Sequence, residues 1–495
     1  MRLIVILAIA FLSVLSNPAF AIQEVAVSPE ASWQGLSSKV IEVGRDENQV
    51  QKHLDYLTNR IGPRLTGSEG LQAGCEWARE EFESMGLESR LEQWGEFPVG
   101  FERGPATGMM VSPTKMTLEF GTNAWSAGTT GRDLGKALLA PRSMEELELM
   151  RDSIKGAYII SEGRRRFSRR TEEADKDENK VKPLTREERA ALADAIMECE
   201  PAGIIRPTSD NLILTGGNYR IDMESLPTIP SITLLKDQWT EIKKLIEDGK
   251  DVQLAFDIRN HFRKGPIPLY NVIADIPGTE WPEEVVIVGG HIDSWDGATG
   301  ATDNGAGCAT TMEAARILMA AKVKPKRTIR FMLWSGEEQG LLGSKAYVLK
   351  HAKEVNETVS AVFVHDGGTN YCSGIICTPA MKEDFEKVFA PVMKLDERAP
   401  FEIQITQSMR ARGGSDHVSF IQAGVPGFFW KQAGRATYRT THHTQFDTYD
   451  SVVPEYQEHS SLVIALGALG TANLDHLLPR EGVQAPSLPS LQKSE

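Results

Sequence analysis

The spacing of apolar residues changes twice along the chain. In ENQVQKHLDYLTNRIG (47–62) and LQAGCEWAREEFESMGL (71–87) apolar positions recur every three or four residues. That predicts two amphipathic helices, joined by the turn-rich loop PRLTGSEG (63–70). Gly86 ends the second helix, and ESRLEQWGEF (88–97) reads as a strand. Residues 22 to about 40 read as a polar leader. From 111 to 262 the texture differs: short β-like runs, KALLA, GAYIIS and AGIIRP, are separated by turns and single helices, the pattern of an inserted domain. Within it, residues 163–190 carry dense charge of both signs and read as a solvated excursion, with a binding surface as the other reading.

From 263 onward strand and helix patterns alternate. YNVIADIPG, EEVVIVGGH, TIRFMLWSGEE, SAVFVHDGG and GVPGFFWKQ read as strands. CATTMEAARILMAAK, LLGSKAYVLKHA and PEYQEHSSLVIALGALGTANLDHLL read as helices. The fold class this predicts is α/β, a mixed, mainly parallel sheet sandwiched by helices. Residues 40–110 and 263–480 then make one domain in two parts, interrupted by the insertion, and 481–495 a flexible tail.

Composition narrows the picture. At 495 residues the chain exceeds one ordinary core. A net charge of -14 leaves no basic footprint for nucleic acid. Residues 1–21 place Arg2 before an apolar run that ends in Ala19-Phe20-Ala21, the pattern of a cleaved secretory signal. A secreted or periplasmic protein follows, with a membrane anchor as the alternative; no second stretch is apolar enough for stable membrane insertion. The five cysteines, Cys75, Cys199, Cys308, Cys372 and Cys377, have neither a disulfide-scaffold count nor zinc-site spacing. Cys372 and Cys377 either pair across a short turn or remain two half-buried thiols.

Chemistry concentrates where strands end. VVIVGG runs into His291, IRFMLWSG into Glu337-Glu338 and AVFVH into Asp366. Ligands of open α/β sheets bind beyond the carboxyl ends of the strands, so these residues converge on one edge. His291 suits zinc, with Asp293 two residues on to orient the imidazole. Asp303, in the glycine-rich GATDNGAG, has two oxygens with which to bridge a pair of metals, or it caps the following helix. Of Glu337 and Glu338, one is free to bind metal while its neighbour faces the attacking water as general base. In THHTQFDTYDSV, His443 competes with His442, and Asp447 orients whichever imidazole binds. His365 packs beneath the site, and His417, in GGSDHVSF, either lines a substrate pocket or is structural. No zincin helix, nucleophile elbow or Walker loop is present.

GGHIDSWD, GATDNGAG, WSGEEQG, HDGG and HHTQFDT stand in the order used by the di-zinc exopeptidases of clan MH, which the chain resembles over most of residues 40–480. PKRTIRFMLWSGEEQG, VVIVGGHIDSWD and PRLTGSEG are most similar to its carboxypeptidase Q branch, and the string around His417 is nearer the S-D-H of the bacterial aminopeptidases. The resemblance implies the zinc exopeptidase fold and two Zn2+ held by His291, Asp303, Glu338, Asp366 and His443. Asp303 would bridge, Asp366 would join His291, Glu338 and His443 would complete opposite metals, and Glu337 would be the base. It also implies a peptide substrate, cleaved at a terminal bond of dipeptides or short peptides, a protease-associated-like insertion and a possible homodimer. Rival readings are an aminopeptidase for longer peptides, a single-zinc acyltransferase like the glutaminyl cyclases, and a non-catalytic binding protein of the same fold.

Overall fold

The computed structural model describes residues 32–162 and 184–484. The signal-like segment 1–21, most of the charged excursion and all but the start of the tail lie outside the described residues. The centre is a six-stranded mixed sheet. Its order is β1 (Glu88–Glu102), β2 (His261–Ile276), β4 (Arg327–Trp334), β3 (Trp281–His291), β5 (Val359–Val364) and β6 (Gly427–Phe429). β3 runs parallel to β4 and β5, and β5 to β6, whereas β2 pairs antiparallel with β4 and with β1.

The central strands are continuous apolar runs because both faces are covered. Along β3, alternate side chains serve opposite cores. Val286 and Val288 face the larger core, built with α4 (Ala306–Ala320) and α7 (Pro454–Ala472). Val285 and Ile287 face a second core that holds Tyr347 of α5 (Leu342–Lys350) and Phe420 of α6 (His417–Gln422). α7 is buried at almost every position from Ser460 to Ala472, so it shows no polar face.

The predicted polar leader is corrected in part: Trp33–Asp46 forms a helix, α1. Ser32 caps it by accepting from the Gly35 N–H at 3.1 Å, and Val40 is buried in the larger core. α2 (Val50–Asp55) continues as a π-helical turn to Ile61, and α3 (Glu69–Ser84) follows the PRLTGSEG loop.

A second, eight-stranded sheet spans Ala106 to Ile258 and has its own core, with Tyr158, Ile160, Ile205, Ile232, Leu254 and Phe256. The chain leaves the first sheet along β1 and returns along β2, and the two pair from Glu88↔Asp275 to Glu102↔His261.

Cys372 and Cys377 lie on one strand, Tyr371–Cys377, and both are buried and free. Five residues of strand separate them by about 16 Å, beyond disulfide reach, which excludes the paired reading. The start of the tail is tied down as well: Val483–Gln484 pairs in parallel with Met409–Arg410. No helix among the described residues is long and apolar enough to cross a membrane.

Candidate metal centre and active site

The parallel pairing of β3, β4 and β5 puts three carboxyl ends on one edge. His291 stands opposite Trp334, and Gly289 opposite Val364. The chain then turns over this edge, delivering Glu337-Glu338 two residues after Ser335 and Asp366 after His365. Asp303 comes from the loop before α4. Gly300 there takes φ +63, in the left-handed region. Gly307 packs so tightly that a Cβ would lie 2.2 Å from the His365 carbonyl oxygen, so this glycine serves backbone-to-backbone approach rather than approach to a ligand. Asn304 closes the loop, donating to the His365 carbonyl at 2.8 Å and accepting from the Gly307 N–H at 3.0 Å.

The two oxygens of Asp303 face two groups of side chains. On one side His291 Nε2 lies 3.3 Å from Asp303 Oδ1 and 3.2 Å from Asp366 Oδ1. On the other, His443 Nε2 lies 3.2 Å from Asp303 Oδ2 and 2.9 Å from Glu338 Oε2. Glu338 therefore stands beside His443, and it also offers a ligand atom within 4.8 Å of those of His291 and Asp303. His442 stacks on His443 with ring centroids 3.8 Å apart, and its Nε2 is 3.8 Å from Asp303 Oδ2, the more distant of the two imidazoles.

Asp293 does something other than expected. His291 Nδ1 meets the backbone carbonyl of Asp293 at 3.0 Å, while the carboxylate is 3.7 Å away. That carboxylate accepts from the N–H groups of Glu337 and Glu338, both at 3.2 Å, and from Thr66 Oγ1 at 3.0 Å. Asp447 likewise holds the Asp303 loop instead of an imidazole, accepting from Thr302 N–H at 2.6 Å, Thr302 Oγ1 at 2.8 Å and Asp303 N–H at 3.2 Å. His365 is buried, with Nδ1 2.7 Å from Thr310 Oγ1. His417 is buried against Phe429 at 5.4 Å, and burial lowers its pKa to about 4.

Electrostatics mark the cluster as short of positive charge. Burial raises Glu338 to about 8 and lifts Glu337 well above the carboxylate range, with Asp366 and Glu338 adding to the rise at Glu337. Burial opposes ionisation of Asp303, but the neighbouring His291 and His443 imidazoles outweigh it and hold this carboxyl below its usual range. Burial pulls His443 down, yet Asp303 and Glu338 push it up to about 10. Asp303 Oδ2 and Glu338 Oε1 are buried without a hydrogen bond. Buried acids and orphaned oxygens converging with imidazole nitrogens suit a divalent cation. His291, Asp303 and Glu338 offer ligand atoms within 4.8 Å of one another, as do Asp303, His442 and His443.

Several contributors carry no sequence pattern of their own. Arg64, fully buried, donates to the carbonyls of Ile292 at 2.7 Å, Gly62 at 2.8 Å, Thr299 at 2.9 Å and Gly300 at 2.8 Å, binding the PRLTGSEG loop to both ligand loops. Asp416 is buried with both carboxylate oxygens lacking a hydrogen bond, and burial raises it to about 7. Thr215, from the second sheet's side, joins Trp295, Ala298, Thr444 and Asp447 around a cavity of ≈ 10 Å³ beside Glu338 and His443. The signals for Arg64 and Thr66 were the turn-rich PRLTGSEG loop and its likeness to the carboxypeptidase Q branch, neither of which has ligand spacing to say what the two side chains hold.

Residues 271–467 match Peptidase family M28. Carboxypeptidase Q of Rattus norvegicus is 26% identical over 464 residues, 91% of each chain. The Bos taurus protein of that name is 28% identical over 443 residues, 88% of each chain. Among solved structures, a peptidase M28 precursor from Shewanella amazonensis SB2B superposes with TM-score 0.65 at 24% identity, covering 92% of this chain and 99% of its own. BSAP, a zinc aminopeptidase from Bacillus subtilis, shares the fold with TM-score 0.56 at 18% identity, over 88% of this chain and 96% of its own. The chain is therefore a metallo-exopeptidase that resembles carboxypeptidase Q along most of its length and whose residues 271–467 match Peptidase family M28.

Proposed function

We propose that the protein is a two-zinc exopeptidase hydrolysing the terminal peptide bond of dipeptides or short peptides. The observation that carries this reading is the division of ligand types about Asp303, with His291 and Asp366 facing one oxygen and Glu338 and His443 the other. His291, Asp303 and Asp366 would hold one ion, and Asp303, Glu338 and His443 the other. Two imidazoles and three carboxylates are within the ligand range of zinc. When bound, zinc polarises the scissile carbonyl and lowers the pKa of water.

The chain's own residues supply the rest. Glu337, next to the ligand Glu338, takes a proton from the attacking water as its oxygen bonds to the carbonyl carbon. The same carboxyl returns that proton to the leaving amine nitrogen as the C–N bond breaks. Asp293 positions Glu337 and Glu338 through their N–H groups. Residues 1–21 suit a secreted or periplasmic setting.

Glu337→Gln tests the assignment. Zinc content by elemental analysis should stay at the wild-type value while kcat on dipeptides falls about 10²–10⁴-fold. Near-normal turnover with metal retained would remove Glu337 as the base. End-blocked longer peptides, cleaved as fast as free dipeptides, would overturn the short-substrate reading.

A further inference from the structure

The loop that carries His443 is held from outside the catalytic sheet. Residues Ile213–Thr215 follow the strand Gly203–Pro207 of the second sheet and lie extended against it. Leu214 and Thr444 form an antiparallel bridge. The Thr215 N–H donates to the His443 carbonyl at 2.8 Å, and the Ile213 N–H to Gln445 Oε1 at 2.8 Å. Apolar burial does not account for the contact: the Leu214 side chain is 51% exposed, and the buried Ile213 packs at Gly121 within the second sheet. The pairing is made by backbone donors.

His443 has φ +57. A residue with a Cβ is strained in that left-handed conformation and stays there only when its surroundings fix it. The same surroundings reach the imidazole. The Trp295 ring meets His443 edge-on at 6.2 Å. Asp296, next in sequence, accepts from Arg103 at 2.8 Å, and Arg103 also donates to Thr122 Oγ1 of the second sheet at 2.6 Å. The Thr215 side chain presses on the turn at Gly297, where a Cβ would lie 1.7 Å from its Cγ2. The Arg103–Thr122 bond and the Thr215–Gly297 contact thus tie the second sheet's side to the segment that carries Trp295 and Asp296, and Trp295 in turn meets His443.

We infer that Ile213–Thr215 is a backbone clamp on the His443 loop, so that metal capture by Glu338 and His443 depends on docking of the second domain while capture by His291 and Asp366 does not. Ile213 and Thr215 are positioning residues: they fix where the His443 main chain runs, and thereby where its ring points. The inference rests on the two-metal reading above.

Zinc affinity and stoichiometry of the full chain, measured by chelator competition and elemental analysis, test it. Wild type should bind two ions and His443→Ala one. Thr215→Pro removes the donor N–H, whereas Thr215→Ala keeps it. Thr215→Pro should weaken one ion by about 10–100-fold, the usual effect of losing a group that orients a ligand, and leave the other unchanged. Thr215→Ala keeps the N–H and loses only the side-chain contact at Gly297, so it should weaken that ion far less than Thr215→Pro does. Two ions at wild-type affinity in Thr215→Pro, or equal damage in Thr215→Ala, would overturn the clamp alone. If Thr215→Pro does not fold, Gln445→Met removes only the acceptor of the Ile213 N–H and should show the same one-sided weakening; unchanged affinity overturns the clamp. A wild-type ceiling of one ion, unaffected by His443→Ala, would overturn the two-metal reading and the clamp with it.

Discussion

The carboxylate of Asp293 receives three donors, the N–H groups of Glu337 and Glu338 and the hydroxyl of Thr66, and so sets where both glutamates begin. Asp293→Asn replaces one acceptor oxygen with an NH2 group that faces an N–H. We expect kcat to fall about 10–100-fold with zinc content and fold retained. Steady-state kinetics beside elemental analysis read this out, and an unchanged kcat would show that the anionic acceptor is dispensable. The residue types at the strand ends were legible in the sequence, because a sheet's carboxyl edge is where such groups gather. What each neighbour holds was not. Asp293 reaches forward to residues 337 and 338, and Asp447 reaches back to Thr302 and Asp303. Hydrogen bonds over such separations leave no local spacing to read. Proximity in sequence suggested Asp293 for His291 and Asp447 for whichever of His442 and His443 binds. The Asp447 carboxylate instead holds the Asp303 loop. The Asp293 carboxylate, 3.7 Å from His291 Nδ1, takes its hydrogen bonds from Thr66, Glu337 and Glu338.

Elements were legible to the extent that one face is apolar. The strands of the central sheet and helices α3, α4 and α7 follow directly from their patterns. α1 was missed although Trp33, Leu36, Val40 and Val43 recur every three or four residues; the polar residues between them masked the spacing, and of its apolar residues only Val40 is fully buried. α4 carries a second polar device away from the metal centre. Glu313 is fully buried, accepts from Arg316 Nε and Nη2 at 2.8 Å each, and accepts from the Gln49 N–H at 3.0 Å, which pins the start of α2. Burial opposes its ionisation, but hydrogen bonds from His53, Arg316 and Gln49 prevail, and its pKa lies below the ordinary glutamate value. A lowered folded pKa means stability that is present above the unfolded value of about 4.3 and lost as pH falls through the folded one. Glu313→Gln should thus be less stable than wild type by about 3 kcal/mol at neutral pH. Urea unfolding across a pH series should show that gap closing as the medium is acidified below about pH 4. A gap independent of pH would mean the carboxylate's charge is not what stabilises the contact.

For the molecule as a whole, all five cysteines are free and buried, so covalent cross-links contribute nothing to its cohesion. Thermal unfolding with and without reductant should give the same midpoint, and a lower midpoint under reduction would reveal a disulfide. The change of texture at about residue 110 coincides with a second sheet of short strands between Ala106 and Ile258, which differs from the long buried strands alternating with helices in the first. The contact of Thr215 and Ile213 with the His443 loop was invisible, because it is made by main-chain groups that any sequence possesses.

The pairing of Glu102 with His261 has an evolutionary corollary. The exit and re-entry points of the intervening 158 or so residues are neighbours across one ladder, about 5 Å apart. A module with adjacent termini is therefore exchangeable at this junction without rethreading the host sheet. Lineages are then free to vary the inserted lobe while inheriting the candidate site on the host sheet intact.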